Sequence, residues 1–271
     1  MQTKNDEEIA ALISSLPNDW KVTNACGKTK TKKDIMRCAY GVQKEADSIL
    51  NFQLAILKAY PPEEKNVAQF DTMLVGSIEY DRKVWRRHHV FNSIFEETLT
   101  EPLQHSTSVY LIYSKKENHY VTLVVDRKKF YFYDSLKSIN SNTYSVSGTV
   151  KKIYNALNKW YGDNPGITKP VILSQAYKVS KQRIPLQEDG WCCGMHMLLV
   201  ALSTIYQGKK PEINYTKEHA YVLSRAHLHF ELTGEILPCV NDIVEILKLN
   251  DKVRYQFVHK IHYYIYNITS S

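Results

Sequence analysis

The chain has 271 residues, of which 44% are hydrophobic and 23% charged, a balance typical of a folded globular protein rather than a disordered one. Its net charge of +7 favours acidic partners without identifying one. The longest apolar stretch is far shorter than the ~20 residues that a bilayer span requires, so we expect no membrane span.

The N-terminus and the cysteines predict the compartment. Met1–Glu8 is polar and acidic where a secretory signal would be basic and then apolar. The five cysteines form an odd set without paired spacing, which favours free thiols in a reducing compartment: Cys26, Cys38, Cys192, Cys193 and Cys239. We therefore expect an intracellular protein of the cytoplasm or nucleus.

Residues 1–45 are predicted to form a helical and basic N-terminal extension. Asp6–Leu16 places its apolar residues on one helical face and is followed by Pro17, so a helix is expected there. Lys28–Asp34 contains almost no apolar residue, so we expect an exposed loop.

Residues 46–250 are predicted to form one compact domain that begins with an amphipathic helix over Asp47–Leu57. Three segments rich in β-branched and aromatic residues follow, separated by short charged turns: Val109–Tyr113, Val121–Val125 and Phe130–Tyr133. Their short connections predict an antiparallel meander.

The second half of the domain is predicted to be mostly helical. Apolar spacing and capping residues indicate four helices, Val150–Tyr161, Cys193–Tyr206, Thr216–Leu232 and Pro238–Leu247. Val171–Leu173 with Val179 is predicted to add one strand. Residues 251–271 form a tail whose Val253–Ile265 has strand character. Together the elements predict an α+β fold, with a mostly antiparallel central sheet flanked by helices.

Cys193 is the strongest candidate for a reactive group. A polar turn, Pro185–Trp191, delivers two cysteines to the start of an apolar helix. The N–H groups and positive dipole end of a helix N-terminus stabilise a thiolate, which lowers a thiol pKa from its usual ~8.5. Gly194 is expected to let a substrate carbonyl come close. The alternative is that Cys192 and Cys193 are ordinary buried thiols.

A cysteine nucleophile needs a base and an oxyanion donor. His119 stands at the start of the second predicted strand and Asp134 at the end of the third, so a tight hairpin between these strands would bring them together. Gln187 precedes Cys193 by six residues and would donate its side-chain amide to an oxyanion, with the Cys193 N–H as second donor. Taken alone, His119 and Asp134 are more typical of a surface histidine and a turn aspartate, and Gln187 by itself indicates no function.

The ordered set of motifs resembles the ubiquitin-like-protein proteases, the clan of SUMO and adenoviral cysteine proteases. The motifs are His119-Tyr, Asp134-Ser, Gln187 and Cys193-Gly, against the family pattern HW…DS…Q-x5-C-G. Upstream, Asp47–Leu57 looks like the first helix of that family, and Val84–Arg87 resembles the region before its strands. The resemblance covers about Asp47 to Leu247.

The resemblance implies a papain-like α+β fold with the catalytic cysteine at a helix N-terminus. It implies Cys193 as nucleophile, His119 as base, Asp134 as its orienting carboxylate and Gln187 as oxyanion donor. The residues implied to contact substrate are Tyr120, Trp191, Gly194 and Trp85. The implied activity is hydrolysis of the C-terminal Gly-Gly-type bond of SUMO, ubiquitin or a related modifier, in precursors or conjugates, by a monomer without metal or cofactor.

The chain departs from the family pattern at three positions. Tyr120 replaces the tryptophan that covers the Gly-Gly tail, Cys192 replaces an aspartate, and His196 replaces an apolar residue. Cys193 and His196 alone do not make a zinc site, which needs four ligands at characteristic spacings.

Other functions stay open at this point. They are processing of a viral-type polyprotein, protein acetylation by the same cysteine as in bacterial effectors delivered to a host cell, and an inactive modifier-binding module. Nucleic-acid binding by the basic stretches Lys28–Lys33 and Arg82–Arg87 is less favoured than a solvated surface, because only Trp85 offers a stacking ring.

Overall fold

A computed structural model describes residue 11 and residues 13–23, 29–39, 46–64, 66–76, 82–90, 99–114, 118–126, 128–136, 147–174 and 178–249. The strands are β1 (Lys21–Thr23), β2 (Thr29–Thr31), β3 (Val67–Phe70), β4 (Thr107–Ser114), β5 (His119–Asp126), β6 (Phe130–Tyr133) and β7 (Val179–Lys181). The helices are α1 (Lys32–Ala39), α2 (Ala46–Ala59), α3 (Met73–Gly76), α4 (Arg82–Arg87), α5 (Ser147–Asp163), α6 (Val171–Ser174), α7 (Cys193–Gln207), α8 (Lys217–Thr233) and α9 (Cys239–Lys248). Within these ranges no helix is long and apolar enough to cross a membrane.

The central sheet has the order β3-β4-β5-β6-β7. The inner pairings, β4 with β5 and β5 with β6, are antiparallel, which confirms the predicted meander. The two edge strands pair in parallel, β3 with β4 and β7 with β6. Parallel neighbours need long crossover connections. Here the connection from β3 to β4 carries α3 and α4, and the connection from β6 to β7 carries α5 and α6.

The sheet is covered on both faces, because β5 alternates its side chains between two hydrophobic cores. Tyr120 and Val124 belong to the core shared with α2 and α7, and Leu123 and Val125 belong to the core shared with α5. The predicted α+β architecture, with helices flanking a central sheet, is confirmed.

Helix α7 is the most buried element of the fold. Every residue from Cys193 to Ile205 is buried, as expected for a helix that is apolar on all sides. It ends at Gly208, whose positive φ of 65° suits the left-handed C-cap that glycine tolerates best. The predictions of α2, α5, α8 and α9 are also confirmed, within one to three residues at each end.

At the edges of the sheet, one predicted strand is wrong and one observed strand was not predicted. Val171–Leu173 was expected as a strand but forms a helical turn, because Pro170 opens it and its carbonyl accepts the N–H of Leu173 at 2.9 Å. Of the described residues predicted for this strand, only Val179 lies in a strand, at the start of β7. The strand β3 has no counterpart among the predictions, since its four buried residues include Gln69 and show no alternation.

The prediction of an exposed loop over Lys28–Asp34 was wrong. The segment forms β2 and the start of α1, and the Lys30 side chain is buried in an ion pair with Glu231 of α8. Ser48 donates to the other Glu231 oxygen at 2.6 Å and lies 2.8 Å from the Nε2 of His227. Lys32 donates to the carbonyl of Leu16 at 2.6 Å. These partners replace the water that an exposed lysine would need.

Two predicted elements fall outside the described residues. Most of the helix expected over Asp6–Leu16 lies there, although residues 13–15 are helical. The strand-like tail Val253–Ile265 lies there entirely.

Candidate active site

The turn before α7 is shaped by the side chain of Asp189. Its Oδ1 accepts the backbone N–H of Trp191 at 2.8 Å and of Cys192 at 2.6 Å. Cys192 is then the N-cap, and its carbonyl accepts the first helical hydrogen bonds, from Met195 and His196. Cys193 is therefore the first residue of α7, where backbone N–H groups have no carbonyl partner within the helix.

The hairpin from β5 to β6 brings His119 and Asp134 together, as the sequence predicts. His119 begins β5 and Asp134 directly follows β6, and the two strands pair antiparallel. The Nε2 of His119 donates to Oδ1 of Asp134 over 2.7 Å, and both side chains are buried. The same Oδ1 accepts the backbone N–H of Leu136 at 2.9 Å, which fixes the carboxylate.

His119 also interacts with Cys193. Its Nδ1 is buried and has no nitrogen or oxygen partner in the described part of the chain. Burial lowers the pKa of His119, but hydrogen bonds with Asp134 and with Cys193, together with their charges, outweigh it and raise the pKa to about 9. These neighbours thus favour the protonated form of the imidazole.

Gln187 is held between the strand end and the nucleophile turn. Its backbone N–H donates to the carbonyl of Ser135 at 2.9 Å, and its Oε1 accepts the Ser135 hydroxyl at 2.6 Å. Its Nε2 donates one hydrogen to the carbonyl of Asp189 at 2.6 Å. An amide nitrogen carries two hydrogens, so one remains for an incoming oxygen.

The reason for a glycine at position 194 differs from the prediction. A Cβ there would lie 2.6 Å from Cδ1 of Ile49 and 3.6 Å from Cδ2 of Tyr120. The missing Cβ of Gly194 therefore serves the packing of α2 and β5 against α7.

The three aromatic residues expected to contact a substrate lie in three different environments. Tyr120 is 1% exposed and packs at 4.7 Å between ring centroids against Tyr113, as a wall of the core beside the nucleophile. Trp191 is partly exposed on the nucleophile turn, near Tyr221. Trp85 does not reach the site, because it is buried in the core on the other face of the sheet, edge-on to Phe70 at 5.4 Å.

His196 lies one helical turn beyond Cys193, buried, with its ring 5.7 Å from that of Tyr215. No group of three or more His, Cys, Asp or Glu side chains is arranged to hold a metal ion anywhere in the described ranges. Cys192, Cys193 and Cys239 are free thiols.

Sequence reasoning assigned no role to Ser135 or Asp189, although both contact the site. Ser135 is the second residue of the Asp-Ser motif, and it was overlooked because its partner Gln187 is 52 residues away in sequence. Asp189 followed by Gly190, just before a helix, is typical of a turn in which the carboxylate caps backbone N–H groups. That signal was available from the sequence.

The chain matches no protein-family model, and no curated protein is similar to it in sequence. Solved structures do match its fold. The C-terminal Ulp1 protease domain in complex with Smt3, the yeast ortholog of SUMO, aligns over 86% of this chain and 96% of that one, with 18% identity and a TM-score of 0.53.

Two further structures give the same picture. The SUMO protease Ulp1 with its catalytic cysteine oxidised to a sulfenic acid aligns over the same shares, with 18% identity and a TM-score of 0.55. The catalytic domain of the Chaetomium thermophilum Ulp1-like SUMO protease aligns over 86% of this chain and 90% of that one, with 14% identity and a TM-score of 0.50. The chain therefore has the fold of the Ulp1-type proteases, as its motifs predict.

Proposed function

We propose that the chain is a cysteine protease or isopeptidase that hydrolyses the C-terminal Gly-Gly-type bond of a ubiquitin-like modifier, in precursors or conjugates. The observation that carries the proposal is the arrangement around His119, whose Nε2 donates to Asp134 and whose imidazole also interacts with the Cys193 thiol. The same types of residue, in the same order, stand in the motifs of the ubiquitin-like-protein proteases.

The partner class is proposed from the fold. One similar structure holds a Ulp1 domain in complex with the yeast SUMO ortholog. We place a SUMO-class modifier first among the substrates and ubiquitin second.

In the proposed acylation step, the Cys193 thiolate attacks the carbonyl carbon of the last modifier residue. A carbon–sulfur bond forms, and the carbonyl π electrons move to the oxygen, which becomes an oxyanion. The free hydrogen of Gln187 Nε2 and the N–H of Cys193 at the start of α7 donate to this oxygen. The oxyanion then collapses, the carbon–nitrogen bond breaks, and His119 protonates the leaving amine.

Water completes the proposed reaction. Neutral His119 accepts a proton from a water molecule that attacks the thioester. The thiolate leaves, and the modifier is released with a free carboxylate. Asp134 stays ionised throughout and stabilises the imidazolium.

The test is hydrolysis of modifiers that carry a C-terminal fluorogenic amide. Wild type is expected to hydrolyse the SUMO substrate, and Cys193→Ala to lower kcat/KM at least ~10³-fold with an unchanged fold. Cys192→Ala is the matched control, because this thiol is the adjacent and equally buried one. Cys193→Ala with full activity would refute the nucleophile, and loss of activity in Cys192→Ala alone would reassign it.

A further inference from the structure

Two arms of the site are joined through one glutamine side chain. The first arm is the end of β6, with Asp134 and Ser135, and the second is the turn from Gln187 to Cys193. Two hydrogen bonds link Ser135 to Gln187. The backbone N–H of Gln187 donates to the Ser135 carbonyl, and the Ser135 hydroxyl donates to Oε1 of Gln187. A third joins the Gln187 amide nitrogen to the Asp189 carbonyl. Both ends of the amide are therefore held.

The orientation of this amide is decided by the chemistry of its neighbours. The Asp189 carbonyl only accepts hydrogen bonds, so the end of the amide beside it must be the NH₂ group. The opposite end is then the carbonyl oxygen, to which the Ser135 hydroxyl donates at 2.6 Å. Turning the amide over would place two oxygens against each other at Asp189.

The hydrogen bond from the Ser135 hydroxyl to Gln187 is shielded from water. Ser135 is 2% exposed, so water does not readily replace its hydroxyl. Without it, the Gln187 carbonyl oxygen loses its partner and the amide gains freedom to rotate. A rotated amide would present its oxygen instead of its N–H to a developing oxyanion, and an electrostatic donor acts only when it is fixed in advance.

We propose that Ser135 is a positioning residue that holds the Gln187 amide in the orientation required for oxyanion stabilisation. The proposal rests on the proposed function, because it takes Cys193 as the nucleophile and Gln187 as a donor. Ser135 touches no reacting atom and acts through Gln187 alone. Its effect is therefore confined to steps that form a tetrahedral oxyanion, and formation of the thiolate and imidazolium does not depend on it.

Two reactions of the Cys193 thiol separate these effects. Acylation by p-nitrophenyl acetate forms a carbon–sulfur bond through a tetrahedral oxyanion and expels p-nitrophenolate. Alkylation by iodoacetamide forms a carbon–sulfur bond by displacement of iodide and involves no oxyanion. Neither reagent requires recognition of a modifier, so the test is valid even if modifier hydrolysis fails.

Ser135→Ala is expected to slow acylation of Cys193 about tenfold or more, up to the ~10²-fold loss expected for removing a donor. Its alkylation rate and the pH dependence of alkylation should stay within about twofold of wild type. In a Gln187→Ala background, Ser135→Ala should cause no additional loss, since the amide it orients is gone. Ser203→Ala is the control. It removes a buried serine hydroxyl that lies in α7, away from Gln187, and donates to the Leu199 carbonyl.

Three results would overturn the proposal. They are an unchanged acylation rate in Ser135→Ala, an equal loss of acylation and alkylation, and an additive loss in the Gln187→Ala background. A wild type that shows neither acylation nor alkylation at Cys193 would refute the nucleophile, and with it both proposals. A wild type that is acylated at Cys193 but cleaves no modifier would refute only the proposed substrate class.

Discussion

His119 links the protonation state of the site to the stability of the fold. Burial lowers its pKa, yet Asp134 and Cys193 raise it to about 9, well above the ~6.5 of a histidine in an unfolded chain. A pKa raised by folding adds stability that is fully present below pH ~6.5 and is lost as the pH rises through about 9. The charged imidazole, which protonates the leaving amine in the proposed reaction, therefore persists at neutral pH.

Replacing Asp134 by Asn should move the alkaline limit of activity. Wild-type hydrolysis is expected to fall as the pH rises through about 9, where His119 loses its proton. Asp134→Asn removes the main group that raises this pKa and leaves the burial that lowers it, so the fall should begin at a lower pH and kcat should decrease. The measurement is a pH–rate profile of Cys193-dependent hydrolysis.

Asp126→Asn provides the comparison for that profile. Asp126 closes the hairpin after β5 by accepting the N–H of Lys129 at 2.6 Å, at the end of the strand opposite to His119. Its replacement should leave the alkaline limit where it is. An alkaline limit that stays near pH 9 in Asp134→Asn would show that Asp134 does not control the protonation of His119.

At the scale of elements, α2 and α7 pack so closely that one added methyl group should lower the free energy of unfolding. Gly194→Ala would place its Cβ 2.6 Å from Cδ1 of Ile49, a distance at which the end of the Ile49 side chain must move within a packed core. We expect a loss of about 1–3 kcal/mol in the free energy of unfolding, measured by urea denaturation.

The double variant Gly194→Ala/Ile49→Val tests the cause of that loss. Valine lacks the terminal methyl that the new Cβ would meet, so the double variant should be more stable than Gly194→Ala alone. Ile49→Val by itself is expected to cost ~0.5–1.5 kcal/mol. Additive losses in the double variant would contradict the contact as the source of the effect.

The buried pair between β2 and α8 should contribute far more than an exposed one. Lys30→Met leaves the Glu231 carboxylate buried without its cation, at an expected cost of ~3–5 kcal/mol. Lys248→Met breaks the half-exposed pair with Glu245 and should cost below ~1 kcal/mol. Thermal or urea unfolding compares the two variants, and equal losses would show that the Lys30 pair is not buried in solution.

The spacing of apolar residues along the sequence predicted most helices and strands, because it follows the period of the element without interruption. The meander and α7 are examples, since their apolar residues report burial directly. Lys30 could not be predicted, because the residue that makes its burial tolerable is 201 positions away. Gln69 in β3 is similar, since its amide pairs with that of Gln53 in α2 at 2.7 Å in both directions.

At the scale of the whole molecule, the sheet and α7 bring together residues from two distant parts of the sequence, 119–135 and 187–193. The order of His119, Asp134, Gln187 and Cys193 predicted this cluster, because the family resemblance supplied the topology that spacing alone does not. Trp85 was wrongly expected near a substrate, since no local pattern distinguishes a residue packed in a core from one that lines a site.

The central claim is that Cys193 attacks the C-terminal carbonyl of a ubiquitin-like modifier. The most direct measurement is the intact mass of the protein after incubation with SUMO and ubiquitin probes that carry a thiol-reactive group in place of the last residue, followed by peptide mapping. The account predicts one added probe, SUMO before ubiquitin, on Cys193 and none in Cys193→Ala. Folded protein that reacts with iodoacetamide at Cys193 but with neither modifier probe would contradict it.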